Sequence, residues 1–222
     1  MLGIAILRYP VFSLQSGSSL VLCETLVVLA CYGAAIVFLE KINIESLGVI
    51  TQSAGYVGLV CASLEFLNIG LENGMPIRIE IPGQSILFML TLFGLWGIAG
   101  FRITRAVHAV KAGILGAMVA AGICMLWATL FGFAIQFFIA PPDPASIATW
   151  AEFKRSGWAD PRAFGIANTL EAGATHLVIA PIIAIVVGGL GAFAARRNLA
   201  KAGAWSVELK PLDYFTNSAN KS

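Results

Sequence analysis

The stretch Ala112–Ala140, AGILGAMVAAGICMLWATLFGFAIQFFIA, decides the fold: twenty-nine consecutive residues contain no Asp, Glu, Lys or Arg. At about 1.5 Å per residue a helix of that length reaches roughly 44 Å, beyond the ~30 Å hydrocarbon core of a bilayer. In lipid the backbone has no water to bond to. A helix pairs its N–H and C=O groups within the segment, so the stretch reads as a membrane-spanning helix.

Four more apolar runs lie to either side of it. The first covers about 19–38 and is closed by Glu40 and Lys41; the second covers about 47–71; the third covers about 85–101; the last, about 165–195, lies within a helix that begins at Pro161. The second run is the most polar, with Thr51, Gln52, Ser53, Ser63 and Glu65 inside it. The expected fold is an all-α, polytopic transmembrane helical bundle of five spans. A four-span version would turn the second run into an interfacial or half-inserted helix.

Composition agrees. Of 222 residues, 58% are hydrophobic and 12% charged, and mean hydropathy is +0.84. A soluble domain carries about 25% charged residues to cover its surface, so the whole chain, 1–222, is expected to be one transmembrane domain with a basic cytoplasmic tail over 196–222. The net charge of +2 is too small to favour a nucleic-acid partner. Cys23, Cys31, Cys61 and Cys124 all sit in apolar runs without a CxxC pair and read as buried thiols acting as small hydrophobes. The first run is read as a retained span. Val28-Leu29-Ala30-Cys31 is the one lipobox-like stretch, and Glu24 just before it is out of place in the uncharged core of a lipoprotein leader.

The connections carry their own signals. Asn73-Gly74 is a turn dipeptide, and Ile77, Ile79 and Ile81 alternate with Arg78 and Glu80, a period-two pattern for a short extended piece. Asp143-Pro144 and Asp160-Pro161 each place an N-cap residue before a first-turn proline. The first pair predicts a short interfacial helix over about 145–154, with Trp150, Phe153 and Trp158 as an aromatic belt. Pro181 lies inside the last helix, removes one backbone hydrogen bond and predicts a kink there.

Lysine and arginine set the expected orientation. With the carboxyl terminus cytoplasmic, nine basic residues (Lys41, Arg102, Arg105, Lys111, Arg196, Arg197, Lys201, Lys210 and Lys221) fall inside, against Arg8, Arg78, Lys154, Arg155 and Arg162 outside. That bias predicts the amino terminus outside and the carboxyl terminus in the cytoplasm of a cell membrane. Arg102, Arg105 and Lys111, spaced along the inner loop with His108, fit anionic lipid headgroups.

Ionisable groups inside spans are costly and therefore mark where function would sit. In this orientation Glu24, Glu65, Gln136, Asn168, Glu171 and His176 fall at roughly one outer depth on four helices. Asn168, Glu171 and Thr175 share one helical face, and Thr169 and His176 form the stripe beside it. Such a set could bind a cation, relay protons or hold a metal whose identity the residues leave open; the simpler explanation is that residues near helix ends reach headgroup water, where their cost falls and no function is required. His108 belongs to the inner boundary and His176 to the outer half, whereas two axial ligands must face each other at one depth, so a haem held by both is not expected. No metalloprotease, serine-hydrolase or nucleotide-binding motif occurs, and neither an enzyme nor a cofactor is expected. Small-residue faces occur at Gly113, Ala117 and Ala121 and at Ala184, Gly188 and Ala192. They suit helix packing within the chain or a seam against copies of itself or other membrane subunits. The expected role is a structural or accessory subunit of a membrane complex, embedded in the lipid bilayer. The alternative is a small transporter or channel for an ion, proton or small solute.

Overall fold

The computed structural model describes residues 18–41, 47–74, 84–135 and 143–202. Seven helices carry them: α1 (Ser18–Lys41), α2 (Leu47–Gly74), α3 (Gln84–Val107), α4 (Val110–Ala134), α5 (Pro144–Ile147), α6 (Ala151–Ser156) and α7 (Pro161–Lys201). There is no strand among the described residues. The chain is thus an all-α helical bundle of membrane-protein type. Among the described residues, α2, α3, α4 and α7 are long and apolar enough to cross a bilayer, and α1 contributes the shorter apolar run Ser18–Ala34. The second run, for all its polar residues, keeps a mean hydropathy of 1.5 over Leu47–Asn68 and qualifies as a span.

Side-chain contacts fix the helix directions. Along α2 and α4, Cys61 meets Cys124 and Phe66 stacks on Phe131 with ring centroids 3.9 Å apart; both numbers rise together, so these helices are parallel. A Cβ on Gly188 of α7 would strike Ala117 of α4, and one on Gly173 would press on Thr129. The numbers run opposite ways, so α4 and α7 are antiparallel. Val21 and Leu22 of α1 pack on Ile166, Ala167 and Leu170 of α7. Further along both helices the Tyr32 hydroxyl reaches the Leu177 carbonyl, so α1 runs parallel to α7. The result is an up-and-down bundle in which α1, α3 and α7 share one direction and α2 and α4 the other.

The tightest packing is at the end where α3 finishes, α4 starts and α7 nears its carboxyl end. A Cβ added to Gly100 would collide with the backbone of Gly188, and one on Gly191 with the Gly97 carbonyl. These positions need glycine because α3 and α7 touch backbone to backbone. Ala117, Ala121, Ala184 and Ala192 are fully buried there. The small-residue faces are therefore used up within the chain, and they supply no seam for a second copy. The outer surface is correspondingly apolar: Leu20, Leu59, Leu87, Leu90, Val186 and Leu190 are each at least half exposed, as a surface meeting lipid tails should be.

Several boundaries differ from the sequence expectation. The loop expected around Arg102–Lys111 does not exist as a loop. Helix α3 runs on to Val107 and α4 begins at Val110, so Arg102, Arg105 and Lys111 are helical, and only His108 and Ala109 join the two rods. His108 makes the turn in a left-handed conformation, φ 58°, its amide donating to the Thr104 carbonyl at 2.8 Å. Arg196, Arg197 and Lys201, counted with the basic tail, belong to α7. The predicted helix over 145–154 is two short helices. Trp150, in extended conformation, starts the second, because the chain turns to bury Ile147 and to set Phe153 edge-on to Phe164 of α7 at 5.5 Å. Trp158 also meets Phe164 edge-on, at 6.3 Å, so two of the belt aromatics are contacts to α7. Cys23 and Cys31 are exposed on α1, whereas Cys61 and Cys124 are buried. An apolar run places a thiol in the bilayer but does not say whether it faces lipid or protein.

Both Asp–Pro caps form: Asp143 accepts from the Ala145 amide at 3.2 Å, and Asp160 from the Arg162 and Ala163 amides at 2.7 and 3.0 Å. Helix α7 stays helical through Pro181. At 41 residues it is about 60 Å long and must project beyond a ~30 Å hydrocarbon core. The alternating segment around Ile77–Ile81 lies outside the described residues.

Candidate functional site

At the bundle end opposite the glycine contacts, α2, α3, α4 and α7 part around a cavity of about 670 Å³. The lining residues nearest the glycine seam are Trp96 of α3, Met125 of α4 and Ile183 of α7, and they form its floor. Towards the end of the bundle the walls include Glu65 and Asn68 of α2, Phe88 of α3, Phe133 of α4 and Thr169 and His176 of α7. Glycine and alanine draw α3, α4 and α7 together at one end, and the cavity wall at the other carries Phe88, Phe93 and Phe133 beside Gly132 and Gly173.

The sequence-predicted polar residues divide. Glu65, Thr175 and His176 line this one cavity, Thr175 and His176 as exposed side chains at its wall. Glu24, Asn168 and Glu171 are exposed and are not among its lining residues. Gln136 lies outside the described residues. On α7 two neighbouring stripes reach the cavity, Thr169, Gly173, His176 and Ala180 on one and Ala172, Thr175 and Ile179 on the other, so Thr175 lines it while Asn168 and Glu171 of the same predicted face do not. Residues 172–195 contain no Asp, Glu, Lys or Arg, which puts Glu171 where the charge-free core of α7 begins and His176 about one turn deeper. Arg102, Arg105 and Lys111 are exposed at the opposite end, with the Arg105 guanidinium 5.8 Å from the centre of the Phe101 ring.

The orientation of His176 can be read from its bonding. Nδ1 lies 2.7 Å from the Ala172 carbonyl. A carbonyl only accepts, so Nδ1 carries the proton, leaving Nε2 as an acceptor in the neutral ring. Beneath the cavity, the buried thiols of Cys61 and Cys124 lie together, with the Trp96 indole beside Cys61. The described residues contain no group of three or more His, Cys, Asp or Glu side chains placed to hold a metal ion.

Sequence reasoning did not pick out the aromatic part of the wall, Phe88, Phe93, Trp96 and Phe133. Asn68, Ser85 and Thr129 were also missed; the spacing of Asn68 from Glu65 and of Thr129 from Gln136 could have shown two of them. The chain matches no protein-family model, and no curated protein or solved structure is significantly similar to it.

Proposed function

We propose that this chain is an integral membrane protein that binds a small solute in the cavity between α2, α3, α4 and α7 and serves its passage across the bilayer. The observation that carries this reading is the meeting of Glu65 and His176, from helices far apart in sequence, in one cavity of about 670 Å³. Volumes of about 300–1,000 Å³ are usual for small-molecule sites, which combine apolar walls with a few converging polar groups. Support for an accessory subunit is weaker, because the small-residue faces that suited an oligomer seam are buried inside the chain.

The same reading includes an orientation. Arg102, Arg105, Lys111, Arg196, Arg197 and Lys201 all lie at the end away from the cavity, and basic residues favour the cytoplasmic side. The cavity then belongs to the outer half of the bilayer.

The test is a thermal-shift screen of small solutes on the detergent-purified chain. A solute that binds the folded state raises Tm by mass action. At least one solute class should raise Tm of the wild type and not of Ala128→Trp, which fills the cavity. A screen without any hit, together with stable co-purifying membrane proteins, would replace this reading by the accessory-subunit role.

A further inference from the structure

We infer that the solute this cavity takes is a single-chain amphiphile with a hydroxyl-bearing head, drawn sideways from the neighbouring lipid leaflet. The inference rests on the binding role proposed above and assigns its chemical class and its route. The lining is sorted by depth. Glu65 and Asn68 of α2, Ser85 of α3, Thr129 of α4 and Thr175 and His176 of α7 stand in the half towards the end of the bundle. They share a level, since a Cβ on Gly173 would press on Thr129. Deeper lie Phe93 and Trp96 of α3, Met125 of α4 and Ala180 and Ile183 of α7. The Trp96 indole N–H is the one polar group among those five. A ligand polar throughout would lose its water on that floor without bonds in return, and one apolar throughout would leave the upper ring unused. A polar head joined to an apolar chain matches both levels.

The depth fits one leaflet. Ser85 and Trp96 are eleven residues apart on one helix, about 16 Å at 1.5 Å per residue, and half of a ~30 Å hydrocarbon core is ~15 Å. A lipid chain therefore enters without its head leaving headgroup level. The upper ring mixes donors and acceptors, and a hydroxyl serves both. No Lys or Arg is among the described lining residues to meet an anionic head.

The route is a gap between α3 and α7. At the seam the two helices touch, with a Cβ on Gly97 only 3.6 Å from the Val187 carbonyl oxygen. By helical spacing the stripes that make this contact continue to Phe93 and Met89 on α3, and to Ile183, Ala180 and His176 on α7. There they are no longer closed against each other. Met89 is 44% exposed and His176 is exposed, although both line the cavity. Ile179, on the neighbouring stripe, lines it too and is 46% exposed. Side chains that line a cavity and face lipid at once mark an opening. The helices diverge from the glycine seam and leave a slot towards the acyl chains.

The experiment uses the full chain in nanodiscs of zwitterionic lipid. Two monoacylglycerols carry a photoactivatable diazirine, one at the chain end and one beside the head. Both should label the protein saturably, in competition with unlabelled monoacylglycerol and not with glycerol or dodecane. The chain-end probe should mark Trp96, Met125 or Ile183, and the head probe Asn68, Thr169 or His176. Ala128→Trp, which fills the cavity, and Met89→Trp, which fills the slot from an exposed position, should each cut labelling at least tenfold. If Ala128→Trp fails to fold, the marked positions and Met89→Trp still decide. Labelling confined to lipid-facing residues such as Leu90 and Leu190, not saturable and the same in every variant, would overturn the amphiphile assignment. Equal competition by dodecane would remove the role of the head, and saturable labelling that Met89→Trp leaves unchanged would overturn the sideways route. If a water-soluble solute raises Tm while no monoacylglycerol marks the floor, the binding role stands and this class is wrong. If both experiments are empty, the binding role itself falls.

Discussion

The hydroxyl of Tyr32 on α1 donates a 2.6 Å hydrogen bond to the carbonyl oxygen of Leu177 on α7. Leu177 stands four residues before Pro181, which lies inside α7. In an unbroken helix the Leu177 carbonyl would accept from the amide at position 181, and proline has none to give. An orphaned carbonyl in the hydrocarbon region is costly, and a side chain from a neighbouring helix relieves it. The first helix is thereby fastened to the last at its weakest point. His176, Ile179 and Ala180, which flank this bond, are in the cavity wall.

The Tyr32 bond and Pro181 should therefore be coupled. Tyr32→Phe leaves the carbonyl unsatisfied and is expected to cost about 1–3 kcal/mol. In a Pro181→Ala background the restored amide bonds to Leu177, and Tyr32→Phe should then cost far less. Denaturant unfolding of the two single variants and the double variant in detergent gives the coupling energy. A coupling near zero would show that the tyrosine is not satisfying the carbonyl.

The glycine seam predicts opposite outcomes for the same change at two positions of α3. Gly100→Ala drives a methyl group into the Gly188 backbone, so the helices must separate; a loss of about 1–3 kcal/mol is expected for overpacking of this kind. Gly94 has nothing within 4 Å of an added Cβ. Gly94→Ala should gain up to about 1 kcal/mol from helix propensity alone. Thermal melts of both variants in one detergent decide it.

Asp160 caps α7 through two amides, 2.7 and 3.0 Å away. Asp160→Ala should destabilise the protein by about 1 kcal/mol, and Asp160→Asn, which keeps the acceptor, by much less. Amide exchange at Arg162 and Ala163 provides the local readout and should speed up in the alanine variant alone.

His108 turns the chain between α3 and α4 at φ 58°. Left-handed geometry costs an ordinary residue about 1–2 kcal/mol and is hardest on β-branched side chains. His108→Gly should be neutral or mildly stabilising in a thermal melt, and His108→Val should lower Tm.

The proposed orientation is checked with single cysteines in a background without the native four. Glu171→Cys should react with a membrane-impermeant maleimide added outside intact cells, and Arg196→Cys only after permeabilisation. The reverse pattern would invert the protein and place the cavity on the cytoplasmic side.

The bundle was legible because charge-free runs such as Ala112–Ala140 leave a chain few options in lipid. The Asp143 and Asp160 caps were legible because capping is a local matter between neighbouring residues. The site was legible only in part. Thr169 and His176 share a stripe by simple spacing, and that stripe faces the cavity. The spacing that grouped Asn168, Glu171 and Thr175 was equally regular; Thr175 lines the cavity, but Asn168 and Glu171 sit at the edge of the charge-free core, where exposure costs little. Phe88, Phe93 and Trp96 were hidden for a different reason. On a helix as uniformly apolar as α3, no polar stripe marks which side turns inward. That choice is made by Gly97 and Gly100, whose close approach to Val187, Gly188 and Gly191 rotates α3 until its aromatic residues face the cavity.

The two-residue link between α3 and α4 has a mechanical consequence. With only His108 and Ala109 between them, and with both rods pressed against Gly188, the two helices cannot slide or rotate independently at that end. They act as a fork with a fixed hinge block. Any widening or narrowing between its tines is small at the glycine seam and grows with distance towards Phe88 and Phe133. Motion of this bundle would therefore register first as a change in the mouth of the cavity.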